Sequence, residues 1–338
     1  MVSLQSLGGT QKHELHWIEK YRPSSLEEVI DHSEKIETLR ALNKKNEMPH
    51  LLFYGAPGSG KTSMILACAR DIYGENYKKY ILELNASDDR GIETVRKKIP
   101  DFVKTSSSKI RLVILDEADA MTNDAQSALR RVIEKYSKTS RFCLICNNIN
   151  KIIPGLQSRC TKMRFGYLNA DQIHQKLKQI ITIEGVYITD EALDRLISIN
   201  RDFRQILNTL QCLHAIRSAD RTSPEQEYKA IQPDEVNQYL GIPTQTQVDQ
   251  LVATMTESKH FSDASRQSVE LFRNNQWNIA DIVNRISNHV LNVMKIDDKK
   301  KYALIDKLAD IEVRISQSND AEVQMYALVA AFRHVFCA

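Results

Sequence analysis

Apolar positions along the chain follow two different rhythms, and the change between them falls near the middle. In the first half, short runs of nearly continuous apolar residues recur at Leu51 to Tyr54, Tyr80 to Leu84, Leu112 to Leu115 and Phe142 to Cys146. Runs of this length and density predict strands buried on both faces, as in a parallel sheet. Between them the spacing is helical. Ser33 to Asn43 places Ile36, Leu39 and Leu42 near one face, and Ser63 to Asp71 is rich in helix formers. Ala125, Ala128, Leu129, Val132, Ile133 and Tyr136 fit a helix that Thr122 or Asn123 can cap. Ile92 to Val103 carries a helical stripe that Pro100 is expected to kink or end early. Alternation of strand and helix predicts a parallel, helix-covered sheet ending near residue 166. From Leu168 onward only helical stripes appear, for example Phe203, Ile206, Leu207, Leu210 and Leu213, or Ile279, Ile282, Val283, Ile286 and Val290. Arg217 to Pro233 reads as a linker, and Gly241-Ile242-Pro243 marks a second break.

The first apolar run leads into Gly55-Ala56-Pro57-Gly58-Ser59-Gly60-Lys61-Thr62, which matches the P-loop pattern G-x-x-x-x-G-K-S/T. Glycines let backbone N–H groups close round phosphate oxygens without a Cβ in the way. Lys61 supplies a point charge to the β- and γ-phosphates, and Thr62 an oxygen ligand for Mg²⁺. The third run closes on Asp116-Glu117-Ala118-Asp119, at a strand's carboxyl end, where open α/β sheets bind ligands. Asp116 would hold Mg²⁺, and Glu117 could orient or activate the attacking water. Such an acid pair alone often marks no more than a solvated strand end; the P-loop upstream favours nucleotide hydrolysis. Asn147 ends the next strand and is expected to touch the water or the γ-phosphate.

Composition narrows the class. The chain has 338 residues, 42% apolar, and a net charge of +3. That charge is too small to argue for nucleic acid without a local basic face. No run reaches membrane length, so no membrane is expected. Six cysteines without a dense framework point to reduced thiols in the cytosol or nucleus. Cys143 and Cys146 form one C-x-x-C, but on a strand they point to opposite faces and cannot share a metal.

LLFYGAPGSGKT, ELNASDDRGI, LVILDEADAMT, RFCLICNN and LQSRC occur in this order, with WIEKYRP ahead of them. Together they resemble the small subunits of replication factor C, the eukaryotic sliding-clamp loader. The match is dense over residues 17 to 165, and the SRC run at Ser158 to Cys160 is a feature that general AAA+ ATPases lack. The resemblance implies an α/β P-loop AAA+ ATPase domain with a parallel sheet at 17–166, after a flexible N-terminus at 1–16. A helical lid at 167–236 and an all-α collar at 237–338 would follow. It also implies ATP and Mg²⁺ as cofactors and nuclear location. The implied partners are the other subunits of a heteropentamer, the sliding clamp (PCNA), and the backbone of primer–template DNA in replication and repair.

By position, the resemblance puts Ile18, Arg22, Val29 and Ile30 on the adenine side. Gly55, Ala56, Pro57, Gly58, Ser59, Gly60, Lys61, Thr62 and Ser63 would hold the phosphates. Asn147 would be a first sensor and Arg204 a second, reaching from the lid. Arg159 would be an arginine finger acting in trans on a neighbouring subunit's ATP. Arg90, Arg96 and Lys151 would track DNA phosphates, while Arg130 and Arg131 could serve communication between subunits. The chain departs from the family's Gly-Asp-Met-Arg-Arg at the lid, where it reads Arg201-Asp202-Phe203-Arg204-Gln205. Two other readings compete. One is an ATP-binding scaffold with little turnover, against which intact Lys61, Asp116 and Glu117 argue. The other is a protein-remodelling ATPase, against which the polar, charged loop at Ser87 to Gly91 argues.

Overall fold

A computed structural model describes residues 16–45, 47–87, 92–104, 109–219, 229–317 and 320–337. Residues 1–15 of the expected flexible N-terminus, Arg90, and most of the linker expected after Arg217 lie outside the described residues. The chain divides into two compact units. The first takes the described residues through Val186 and those from Leu196 to Ala219; the second takes Tyr187–Arg195 and the described residues from Lys229 on.

The first unit is built on a five-stranded sheet of β1 (Leu51–Gly55), β2 (Ile81–Asn85), β3 (Arg111–Asp116), β4 (Ser140–Cys146) and β5 (Thr161–Phe165). Its order is β2-β3-β4-β1-β5, and every pairing is parallel. Successive residues enter different cores, as burial on both faces requires. Leu112 and Ile114 join one hydrophobic cluster with Leu51 and Phe53, while Val113 and Leu115 join another with Leu52. Cys143 falls in the first cluster and Cys146 in the second, so the C-x-x-C is split across the sheet. Burial pushes the Cys146 thiol up to about 12, which makes it an inert core group.

The fifth strand carries no continuous apolar run. It is an edge strand, with Met163 and Phe165 buried and Thr161, Lys162 and Arg164 exposed, so only one face is apolar. The helical stripe from Ile92 is cut at Lys97, into Ile92–Arg96 and Lys98–Lys104. The break lies upstream of Pro100 because a proline ring clashes with the carbonyl four residues earlier, here Arg96. Pro100 itself then sits in the first turn of the second helix, where its missing N–H costs nothing. Thr122 caps the Asn123–Tyr136 helix, its hydroxyl accepting from Ala125 N.

Helices Ala170–Glu184 and Phe203–Ala219 belong to this same unit. The short Trp17–Lys20 helix is tied to the latter: Trp17 N donates to Gln211 Oε1 at 3.2 Å, and its ring lies 5.7 Å from that of His214. The second unit is helical, with an isolated bridge between Ile188 and Ile231 as its extended pairing among the described residues. Its core joins Leu251 and Met255 of Gln245–Glu257, Ile282 and Ile286 of Ile279–Asn292, Leu304 of Asp298–Gln317, and Leu328 and Phe332 of Ala321–Cys337. The fold is thus an α/β unit on a parallel sheet, followed by an all-helical one. No helix among the described residues is long and apolar enough to cross a membrane.

Candidate nucleotide site

The loop after β1 is shaped by close approach. Gly55 has φ +137°, and a Cβ there would fall 1.9 Å from the Phe165 carbonyl oxygen; Ala56 N donates to that same oxygen at 3.2 Å. The loop ends at Gly60, and helix Lys61–Tyr73 starts, so its free N–H groups face the loop's concavity. Ser59 Oγ closes the turn by donating to Ala56 O at 2.7 Å.

Lys61 is buried, with Nζ donating to Gly55 O at 3.0 Å, Ala56 O at 2.7 Å and Asn147 Oδ1 at 3.0 Å. Burial lowers its pKa, and the Asp116 carboxylate opposes that shift. Thr62 Oγ1 donates to Asp116 Oδ2 at 2.6 Å, and Asp116 Oδ1 accepts from Glu117 N at 2.9 Å. Glu117 adopts a left-handed backbone, φ 52°, and is exposed. Backbone N–H groups of Asn147 and Asn148 donate to Asp119 Oδ2 at 3.3 and 3.0 Å. The carboxyl ends of β1, β3 and β4 therefore bring Lys61, Thr62, Asp116, Glu117 and Asn147 to one place. A cleft adjoins it, lined by Ile18, Arg22, Val29 and Ile30, by Gly58, Gly60 and Ser63 of the loop and helix start, and by Arg204.

The first unit matches the family model "ATPase family associated with various cellular activities (AAA)" over residues 51–167, and residues 243–331 match "Replication factor C C-terminal domain". The chain is 44% identical over 324 residues to replication factor C subunit 5 of Arabidopsis thaliana, covering 94% of this chain and 86% of that protein. It is 38% identical over 333 residues to replication factor C subunit 3 of Saccharomyces cerevisiae, covering 96% and 95%. The chain belongs to the replication factor C subunits. It carries an AAA ATPase domain and is similar to the subunits numbered 3 and 5 in several eukaryotes. Among solved structures, a RuvB variant of Thermotoga maritima shares the fold, with a TM-score of 0.53 at 16% identity over 79% of this chain and 88% of that one.

The remaining residues of this replication factor C subunit that were singled out from sequence sit elsewhere. Arg159 precedes β5, whose first residue Thr161 pairs with Leu51 at the start of β1. It therefore lies at the sheet end opposite the P-loop. Its Nη1 donates to Gly155 O at 2.7 Å, and its Nη2 pairs with Glu134. Arg96 and Lys151 are exposed, the first ending the Ile92–Arg96 helix and the second in the Ile149–Lys151 turn. Arg130 packs against Gly155, its Cδ 3.1 Å from where a Cβ would stand.

Several further residues shape the site. Tyr21, Lys176, Phe203 and Leu207 also line the cleft. Tyr21 donates to Glu184, which Lys20 Nζ also bonds at 2.6 Å. Burial and that contact push the Tyr21 phenol up to about 12. His32 is buried beneath the P-loop. Asp119 was visible as a third acid in the run after β3, but nothing in the sequence shows that it serves backbone N–H groups on the next strand.

Proposed function

We propose that this chain is an ATP-hydrolysing subunit of a nuclear, multi-subunit replication factor C, which uses ATP to load the sliding clamp onto primer–template DNA in replication and repair. The observation that carries the reading is the convergence of Lys61, Asn147 and the Thr62–Asp116 pair at the mouth of the P-loop, beside an open cleft. Adenine would enter between Ile18, Arg22, Val29 and Ile30. Phosphates would meet the N–H groups from Gly55 to Ser63, the Lys61 charge and the Arg204 guanidinium. Lys61 directs its donors at Gly55 O, Ala56 O and Asn147 Oδ1. Phosphate oxygens would take over those donors and release Asn147 to hold the attacking water.

Thr62 Oγ1 and the Asp116 carboxylate are hard oxygens within 2.6 Å of each other, a donor set that suits Mg²⁺. Bound there, Mg²⁺ would supply charge neutralisation to the β- and γ-phosphates. Glu117 is exposed beside this pair and is the group available to polarise water. Arg159 lies at the other sheet end, away from this chain's own phosphate loop, which supports a role on a neighbour's ATP. Arg96 and Lys151 supply the phosphate contacts to DNA. Relatives named as replication factor C subunits supply the assembly and clamp-loading context. The test is reconstitution: the assembly with this chain should load clamp on primed DNA with ATP, and the assembly without it should not. Equal loading in both would overturn the proposal.

A further inference from the structure

His32 has no part in the motifs, yet it is 7% exposed and reaches the centre of the P-loop. Its Nε2 lies 3.2 Å from Ser59 O, and its Nδ1 lies 3.4 Å from Lys35 Nζ. An ammonium can only donate, so Nδ1 is the acceptor and the ring proton sits on Nε2, directed at the Ser59 carbonyl. Burial, and then the Lys35 charge, lower the His32 pKa against the pull of Asp31, in keeping with a neutral ring. The ring edge also meets Phe165, with centroids 4.9 Å apart at 79°. Phe165 in turn holds the start of the loop through Ala56 N.

The backbone at this point is strained. Asp31 and His32 both stand in the left-handed region, φ 62° and 67°, without being glycine. That conformation is costly for a residue with a Cβ and persists only where the surroundings enforce it. Asp31 Oδ1 accepts from His32 N at 2.7 Å and steadies the turn. Two residues upstream, Val29 and Ile30 line the cleft beside Gly58 and Gly60.

We infer that His32 is a positioning residue for the nucleotide site, joining the Val29–Ile30 wall to the phosphate cradle through its hydrogen bond to Ser59. The inference rests on the ATP site proposed above. Its consequence is that the wall's fit to the base and the cradle's fit to the phosphates are set together. A chain lacking the bond folds but holds the two halves out of register. It loses both affinity for ATP and preference for adenine over guanine.

Two variants separate this role from ring packing. His32→Phe keeps the ring edge against Phe165 and removes the donor; His32→Gln keeps a donor near Nε2 and removes the ring. Binding of fluorescent ATP and GTP analogues to the full chain is measured beside Lys61→Ala, with thermal melting to show that each variant is folded. His32→Phe is expected to weaken ATP binding about tenfold, the worth of one good buried hydrogen bond, and to reduce the ATP-over-GTP ratio. His32→Gln is expected to stay within about threefold of the unaltered chain. Tight binding with unchanged preference in His32→Phe overturns the inference, and so does damage in His32→Gln equal to or greater than that in His32→Phe. An unaltered chain that binds ATP no better than Lys61→Ala would strike the ATP site itself, a failure distinct from either.

Discussion

The carboxylate of Asp202 occupies the space that a side chain on Gly58 would need. A Cβ built on Gly58 would stand 1.9 Å from Asp202 Oδ1, and the same oxygen accepts from Arg204 N at 2.9 Å. Asp202 thus starts the Phe203–Ala219 helix and rests on the P-loop at once, and it sets where Arg204 enters the cleft. Gly58 also has φ +63°, where an L side chain is strained.

Gly58→Ala is therefore expected to displace the Asp202 carboxylate, break its bond to Arg204 N and loosen the start of the Phe203–Ala219 helix at the loop. ATP affinity should fall by tenfold or more, from backbone strain of about 1–2 kcal/mol and from the displaced Arg204. Adding Asp202→Gly should recover only the part due to the clash, so the two changes should be non-additive. Titration with a fluorescent ATP analogue on both single variants and the double checks this. Additive losses would mean that the contact carries no energy.

Lys61→Ala removes the cation that Asn147 Oδ1 and two loop carbonyls now share. ATP binding at this chain's own site should be lost at micromolar nucleotide, since a charge-assisted bond at a buried site is worth roughly 1.5–3 kcal/mol and Lys61 makes several. The helical second unit has its own core and should keep its place in the assembly. Equilibrium binding and native mass spectrometry of the complex read the two halves of this expectation.

Much of this was legible in advance, and the exceptions share a cause. Leu112 to Leu115 reads as a buried strand because both of its own faces are apolar, and the acids after it fall where the sheet ends. The P-loop is legible because its glycines and lysine are adjacent in sequence. By contrast β5 is an edge strand whose Lys162 and Arg164 face solvent, so no apolar run announces it. The Lys97 break was displaced from Pro100 because the proline's clash acts four residues upstream. His32, Tyr21 and Asp119 act through long-range bonds, to Ser59, Glu184 and the Asn147–Asn148 backbone. Tyr21 lies within WIEKYRP, but nothing in that run points to Glu184, and a lone histidine carries no spacing that points to Ser59.

Arg159→Ala should leave this chain's own ATP binding intact, because Arg159 stands at the sheet end away from the P-loop. Hydrolysis at a neighbour's site should slow. An arginine finger is worth about 10³ to 10⁵ in kcat where it acts in trans, although other sites in the assembly would dilute the total loss. Single-turnover hydrolysis with only the neighbour's site competent is the measurement. Loss of binding in this chain with normal turnover next door would reassign Arg159.

Arg96 and Lys151 test DNA contact separately from catalysis. Both are exposed, and neither touches the P-loop groups, so nucleotide affinity should survive their removal. A contact to a phosphate releases condensed counterions, and losing one should reduce the slope of log K against log salt by about 0.9 for duplex DNA. Arg96→Ala should therefore weaken binding of the assembly to primer–template DNA by a similar factor at every sequence and flatten its salt dependence, and Lys151→Ala should do the same. Lys151 carries one further expectation. Its carbonyl accepts from Gln126 Nε2 at 2.9 Å, a bond that the side chain does not make, so Lys151→Ala should leave the local fold and the melting temperature unchanged. DNA-stimulated hydrolysis should fall in both variants, because the DNA no longer settles against this subunit. The measurement is a salt titration of primer–template binding with a non-hydrolysable ATP analogue, on unaltered and variant assemblies. Parallel slopes with equal affinities would place both residues outside the DNA path. A loss confined to some sequences would mean base readout, which exposed Arg and Lys on phosphates cannot produce.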